Sequence, residues 1–428
     1  MARQWWAPAV LVALCAACNP GVFDDLKGET WVNSASSPDD LGSNDFGSAI
    51  VWTGAQPEGT AVAVTGAAPA GVAHMVYAAD GSASAEALTI GDLISGGTLG
   101  ARPAMAADIV TTDGEEGTLA VAVIEAGGTS RLLLIDPATM DVTETQVAPA
   151  GVIESLAFAA SDADAAAGTV DLFGAGESTI AVVADYQSAA RTIATCDHAR
   201  ERTYALAVGP FLPEVGDAVV ASIGTDAMFG EPSAIVVFSG FTVTAAAAND
   251  QPCFAGADYA VTLDAPGEEP DFGLALATGD FDGSGELDLA ASAPSAGVVY
   301  VWLDPATNSF DSQPVVIAGP AGSVDFGHAL TAADLDGDGT QELAVADDAA
   351  TVEGTQGAGA VYVYAGLAGP PAVTLYDAEP ETDEHFGRAV AGAPFKGATD
   401  DEILMVGTGT QLFTYFQTPL AGDTDPRQ

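Results

Sequence analysis

The chain has 428 residues, of which 10 are Lys or Arg and 60 are Asp or Glu, giving a formal net charge of −50. That balance excludes a nucleic-acid binder, because phosphate contacts need clustered basic side chains and the only lysines, Lys27 and Lys396, lie far apart. An anionic membrane surface is an equally poor partner. A hydrophobic content of 48% still allows a packed core, and 49 glycines beside 7% aromatics suit short strands and tight turns better than long helices.

In chain order, residues 1–17 (MARQWWAPAVLVALCAA) come first: Arg3, then an apolar run from Trp5 to Ala17, shorter than the ~20 residues of a bilayer span. This reads as a signal peptide. It ends Leu14-Cys15-Ala16-Ala17-Cys18, which resembles the bacterial lipobox, although Leu14 stands one place further from the cysteine than usual and Cys15 takes its place. The resemblance implies that Cys18 is lipidated, so that the protein is exported and meets the membrane through a lipid anchor only. Asn19, where an Asp would favour inner-membrane retention, implies the outer membrane. The alternative is an ordinary signal peptide with Cys18 left as a free thiol. Residues 18–44 have the small, polar and acidic composition of a tether, within which Glu29–Asn33 (ETWVN) can form a strand.

From residue 45 the chain repeats itself. Asp271-Phe-Gly-LALATG-Asp280-FDGSGELDLAASAP and Asp325-Phe-Gly-HALTAA-Asp334-LDGDGTQELAVADD align residue for residue, and Phe-Gly frames recur at Phe46-Gly47 and Phe386-Gly387. Weaker copies at 102–136, 151–195 and 203–240 bring the units to seven. The clearest unit contains four apolar runs, Leu274–Gly279, Leu287–Ser292, Val298–Leu303 and Val315–Ile317, bounded by Gly, Asp, Ser and Pro. Four short strands per unit predict an all-β, seven-bladed β-propeller of four-stranded antiparallel blades over 45–416, with 417–428 a polar tail. Isolated blades cannot bury both faces, so they must pack in a ring. The last unit runs out after Gln411–Phe416, and Glu29–Asn33 is expected to supply its missing strand.

The Phe-Gly pairs, with turns at Gly66-Ala-Ala-Pro69 and Ser292-Ala-Pro294, resemble the FG-GAP repeats of the integrin α-subunit head, a seven-bladed propeller. In that family some blades carry a calcium loop, Asp-x-Asp-x-Asp-Gly-x-x-Asp, between their first two strands. The resemblance implies two Ca²⁺ sites: Asp280, Asp282, Ser284 and Asp288 with the carbonyl of Glu286, and Asp334, Asp336, Asp338 and Glu342 with the carbonyl of Thr340. Calcium takes six to eight hard oxygens, which alternating carboxylates on a tight loop converge to supply. Ser284 replaces an acid, so the first site is expected to be the weaker. An EF-hand is excluded, since Ala291 and Val345 stand at the twelfth positions.

Catalytic signatures are lacking: there is no Gly-x-Ser-x-Gly, His-Glu-x-x-His or Walker loop, and His328 and His385, which flank Phe-Gly pairs, are assigned to packing. The expected function is a calcium-stabilised extracytoplasmic binding module for a protein or glycan, not an enzyme. Its candidate ligand loops are Thr225–Pro232 with Met228 and Phe229, the insert 241–258, and Asp347–Gly359, on the integrin pattern of partner binding opposite the calcium loops. His, Asp and Arg clustered around the mouth of the ring would favour a hydrolase or lyase instead, and a purely structural envelope protein is a further alternative. Cys196 and Cys253 form an even pair in an exported chain, either as a disulfide or as two buried thiols.

Overall fold

The computed structural model describes residues 32–38, 45–56, 59–67, 70–78, 83–90, 97–99, 103–108, 118–125, 128, 130–137, 139–147, 152–159, 170–176, 179–184, 192–197, 202–212, 218–224, 233–238, 259–394 and 402–415. After β1 (Val32–Ser36), the first sheet is β2 (Ile50–Gln56), β3 (Gly59–Ala67), β4 (Ala70–Ala78) and β5 (Ala83–Thr89). The second is β6 (Met105–Asp108), β7 (Thr118–Ile124), β8 (Ser130–Asp136) and β9 (Asp141–Val147); the third is β10 (Ile153–Ala159), β11 (Asp171–Gly176), β12 (Thr179–Ala184) and β13 (Thr192–Asp197). The fourth is β14 (Arg202–Gly209), β15 (Ala218–Gly224), β16 (Ala234–Phe238) and β17 (Tyr259–Asp264). The fifth is β18 (Leu276–Gly279), β19 (Asp288–Ala293), β20 (Val298–Trp302) and β21 (Val315–Ala318), with a one-turn helix α1 (Pro305–Asn308) between its last two strands. The sixth is β22 (Leu330–Ala333), β23 (Glu342–Asp347), β24 (Ala360–Tyr364) and β25 (Val373–Leu375). β26 (Ala389–Pro394), β27 (Glu402–Gly407) and β28 (Gln411–Tyr415) begin the seventh.

Each of the seven sheets is an antiparallel meander of four strands. First strands touch around a complete circuit, β2 to β6, β10, β14, β18, β22, β26 and back to β2. This is the seven-bladed β-propeller that the repeat count predicts. The fourth strand of the last blade is β1, paired antiparallel with β28 from Val32↔Tyr415 to Ser36↔Gln411. The closing strand is described over Val32–Ser36, which shares Val32 and Asn33 with the expected Glu29–Asn33 and runs on through Ser34, Ala35 and Ser36; residues 29–31 lie outside the described ones.

Burial follows position in the blade. The second strands β19 and β23 are buried along their whole length, because a sheet lies against each face, and they read as apolar runs without alternation. The outer strand β21 alternates between buried and exposed residues, as a strand half in water does. Between blades lie the Phe-Gly joints. Phe46, Phe272, Phe326 and Phe386 are all fully buried, and each of the last three meets two aromatics of its own blade's third strand: Tyr300 and Trp302, Tyr362 and Tyr364, Phe413 and Tyr415, at 5.3–6.5 Å between ring centroids.

The glycine of the pair makes the other half of the joint. At φ 97°, Gly327 donates its N–H to Ala346 O of its own blade at 2.8 Å, and a Cβ built on it would stand 2.7 Å from Ser292 Cβ of the preceding blade. The ring closes by the same contact, since a Cβ on Gly47 would stand 2.9 Å from Gly407 Cα of the seventh blade. Only glycine tolerates both the conformation and the approach. Gly322 has the same φ of 97° but open space around it. Gly322→Ala is therefore expected to cost about 1–2 kcal/mol from left-handed strain alone, and Gly327→Ala about 2–5 kcal/mol once overpacking is added. Denaturant melts of the two variants measure the difference, and equal losses would remove the inter-blade contact from the explanation.

Candidate metal centre

The acidic loops span the connections between first and second strands in the fifth and sixth blades. Their shape follows from the aspartate at the head of each. The Asp280 carboxylate accepts N–H groups from Ser284 at 3.0 Å and Gly285 at 2.7 Å, and that of Asp334 accepts them from Gly337 at 2.8 Å and Gly339 at 3.0 Å. These side-chain turns wrap each loop around its first residue. Strand pairing then fixes the opposite end: Asp288 pairs with Gly279, and Glu342 with Ala333. Loop start and strand start thus face each other, and carboxylate oxygens of Asp280, Asp282 and Asp288 lie within 4.8 Å of one another, as do those of Asp334, Asp336 and Glu342.

Asp288 and Glu342 are 0% and 2% exposed. Burial, reinforced by Asp282 and Asp304 and only partly offset by N–H groups donated by Asp304 and Phe281, pushes the Asp288 carboxyl up to about 6. Glu342 is pushed to about 9, first by burial and then by Asp336, Asp334 and Asp338, against one N–H from Leu335. Burial and the neighbouring Asp338 also raise Asp336. Among the described residues no Lys or Arg is paired with either loop; Arg131 and Arg388 are held by Glu125 and Asp45. Carboxylates gathered at this spacing with no cation among the side chains fit a hard divalent ion, whose charge would let them ionise.

Residues 326–364 match the family model of the FG-GAP repeat. Over that span the sixth blade is similar to an FG-GAP repeat. No curated protein matches the chain. The matched span holds Phe326-Gly327, the whole second loop and the three strands β22–β24. The fifth blade repeats the Phe-Gly pair, the acidic loop and the first two strands, with a shorter connection to its third strand.

Within these two blades, the proposed ligands divide. Asp280, Asp282, Asp288, Asp334, Asp336 and Glu342 converge. Asp338 accepts the Thr340 N–H at 2.8 Å, shaping the loop, and its charge bears on Asp336. Glu286 turns its carboxylate to the Thr307 hydroxyl at 2.7 Å, which leaves its carbonyl as its only offering to the loop. Ser284, in place of an acid, donates its hydroxyl to Asp304 at 2.6 Å. Asp304, whose N–H also reaches Asp288 at 2.8 Å, restores a carboxylate beside the first site from the connection between the third and fourth strands. Sequence reasoning missed it because nothing in the spacing connects residue 304 to residue 284. Gln341 was missed as well: its N–H donates to Asp280 O at 2.8 Å while its Oε1 accepts the Asp280 N–H at 3.2 Å, fastening the two loops together across the blade boundary. Glu402 does the same for Asp334, accepting its N–H at 2.6 Å.

Other expected sites stand as follows. Cys18, Cys253, the loop of Met228 and Phe229, and the insert 241–258 lie outside the described residues; Cys196 is in β13. Asp347–Gly359 connects second to third strand as expected, but it packs inward through Ala350, Val352 and Ala358. The packing assignment of His328 and His385 is corrected: both stand among carboxylates on the face opposite the acidic loops. His74, by contrast, is a core histidine, 3.1 Å from Thr53 Oγ1.

The elevated Glu342 carboxyl has a pH consequence in calcium-free protein. Folded, it keeps its proton to about pH 9; unfolded, it ionises near its ordinary value of 4.5. Over that window the unfolded chain gives up the proton first, so the stability Glu342 contributes is present at low pH and falls as pH rises from about 4.5 to 9. Glu342→Gln is expected to flatten this part of the fall relative to wild type, measured by calcium-free melts across the range; parallel pH profiles would contradict the burial argument.

Proposed function

We propose that the chain is a calcium-stabilised, extracytoplasmic binding module, lipid-anchored at Cys18, that recognises a protein or glycan with the face opposite the acidic loops. The observation that supports this most is the pair of buried carboxylates, Asp288 and Glu342, each at the centre of an acid triad with no cationic side chain at hand. In the apo state they hold protons or repel their neighbours. Calcium at each loop would neutralise the triad and stitch loop to strand, and Gln341 would tie the two sites together. Ions at one end of the ring leave the other end, where connections between second and third strands gather, free for a partner. Integrin heads use this fold to bind ligands. No helix among the described residues is long and apolar enough to cross a membrane.

A catalytic reading has one observation in its favour. A cavity of about 260 Å³ on the ring axis is lined by His328 and Arg388 along with small first-strand residues, which is the gathering of His and Arg that such a reading requires. It predicts turnover of a polysaccharide or peptide that Arg388→Ala abolishes. Binding is preferred because the remaining lining is mostly apolar.

Titration calorimetry of calcium into chelator-treated protein tests the proposal. Two ions per chain are expected, each adding about 2.7 kcal/mol of stability when calcium stands a hundredfold above Kd, with Asp336→Ala losing one ion and its share of the melting-temperature increase. A chain that binds no calcium, or melts identically with and without it, contradicts the proposal.

A further inference from the structure

On the face opposite the acidic loops, the sixth and seventh blades bring together Asp325, His328, Asp348 and His385, of which the last three differ from the residues at the same positions of the fifth blade. Where the fifth blade has Leu274 after its Phe-Gly pair, the sixth has His328; where the fifth continues Ser292-Ala293-Pro294, the sixth has Ala346-Asp347-Asp348; and where the first, fifth and sixth blades place Asp45, Asp271 and Asp325 before the pair, the seventh places His385. The fifth blade folds with Leu274, Pro294 and Asp271 at these positions, so a blade does not need His328, Asp348 or His385.

The four meet. His328 Nδ1 stands 2.8 Å from Asp325 Oδ2 and 3.5 Å from Asp348 Oδ1, and His385 Nδ1 stands 3.3 Å from Asp348 Oδ2. One ligand atom from each of Asp325, His328 and Asp348 lies within 4.8 Å of the other two. Bonds of about 2.0–2.2 Å to a tetrahedral zinc put neighbouring ligand atoms roughly 3.3–3.5 Å apart, a spacing that the two His328 distances of 2.8 and 3.5 Å bracket. His385 Nδ1, itself out of water, has no well-aligned hydrogen bond and faces Asp348 Oδ2 as its one ionic contact among the described residues.

The surroundings hold this group rigidly. Asp347, fully buried, accepts the N–H groups of Val324 and Asp325 at 3.0 Å each, and His328 N–H reaches Ala346 O at 3.1 Å. His385, at φ 60°, is placed by its N–H bond to Gly357 O at 3.0 Å, and Phe386 N–H bonds to Ala358 O at 2.8 Å. The inward-packed Asp347–Gly359 loop is therefore the clamp that sets His385 against Asp348.

We propose that Asp325, His328 and Asp348 form a transition-metal site, for Zn²⁺, with His385 orienting Asp348 from behind and the fourth ligand position left to solvent or to a partner's donor atom. An imidazole nitrogen among the donors selects zinc over calcium, so this site is chemically separate from the acidic loops. A metal with an open position on the face proposed for recognition offers a partner carboxylate, imidazole or sugar hydroxyl a bond to make.

The test is calorimetric titration of Zn²⁺ into the full chain with calcium in large excess, so that the acidic loops are not the acceptor. One zinc per chain is expected. His328→Ala should weaken it by about a hundredfold or more, His385→Ala by about ten- to hundredfold as an outer partner does, and Asp336→Ala not at all. Co²⁺ in place of zinc should give the visible absorption of a nitrogen–oxygen site of low coordination number, lost in His328→Ala, and this spectrum reads the site even if His328→Gln must replace a poorly folding alanine variant. No zinc bound under excess calcium, or zinc binding that survives His328→Ala with the wild-type melting temperature, overturns the assignment. Because calcium binding is measured separately, the zinc site can fail while the calcium proposal stands, and the reverse.

Discussion

The joint between neighbouring blades is the contact on which the rest depends. Each Phe-Gly pair places a phenyl ring against its own blade's third strand and a bare backbone against the preceding blade's second strand, so one dipeptide both completes a core and sets the spacing of sheets. Four-stranded blades have no stable existence alone, and only the ring buries second strands such as β19 and β23 on both faces. The seventh joint, Gly47 on Gly407, together with β1 on β28, turns a row of blades into a closed ring whose inner strand edges are short and face one another.

That closed frame explains how so acidic a chain places carboxylates in its interior. Asp288 and Glu342 occupy strand starts whose register is fixed by pairing with Gly279 and Ala333; the backbone positions them regardless of the charge they carry. Repulsion within each triad is thus imposed by the fold, and its relief is left to protons or to a cation. Gln341 and Asp304 show that the loops are not independent units: one fastens blade to blade, and the other returns a carboxylate where Ser284 lacks one.

Much of this was legible in the sequence, for identifiable reasons. The propeller, its blade count and the strands of the fifth blade follow from a repeat whose local signals agree with its tertiary role: Val298–Leu303 was expected and Val298–Trp302 is found. The converging aspartates follow from a motif in which the geometry is encoded within nine residues. What escaped was non-local. The closing strand was expected over Glu29–Asn33, and the described pairing carries it on through Ser34-Ala35-Ser36, small residues that only register against β28 marks as strand. Asp304 and Gln341 act across connections that no spacing rule spans. His328 and His385 were assigned to packing because each flanks a Phe-Gly pair; the signal that distinguishes them is their difference from the fifth blade, which places Leu274 and Asp271 there.

Two chemistries then sit at opposite ends of one ring, hard oxygen donors at the first-to-second connections and a nitrogen–oxygen group where one blade meets the next. The central claim is that the frame builds the first of these for calcium. Diffraction from calcium-soaked crystals, recorded where calcium scatters anomalously, tests it most directly. The account predicts one anomalous peak bounded by Asp280, Asp282 and Asp288 and a second bounded by Asp334, Asp336 and Glu342, with Gln341 between them. Well-ordered loops with no peak at either position would contradict it.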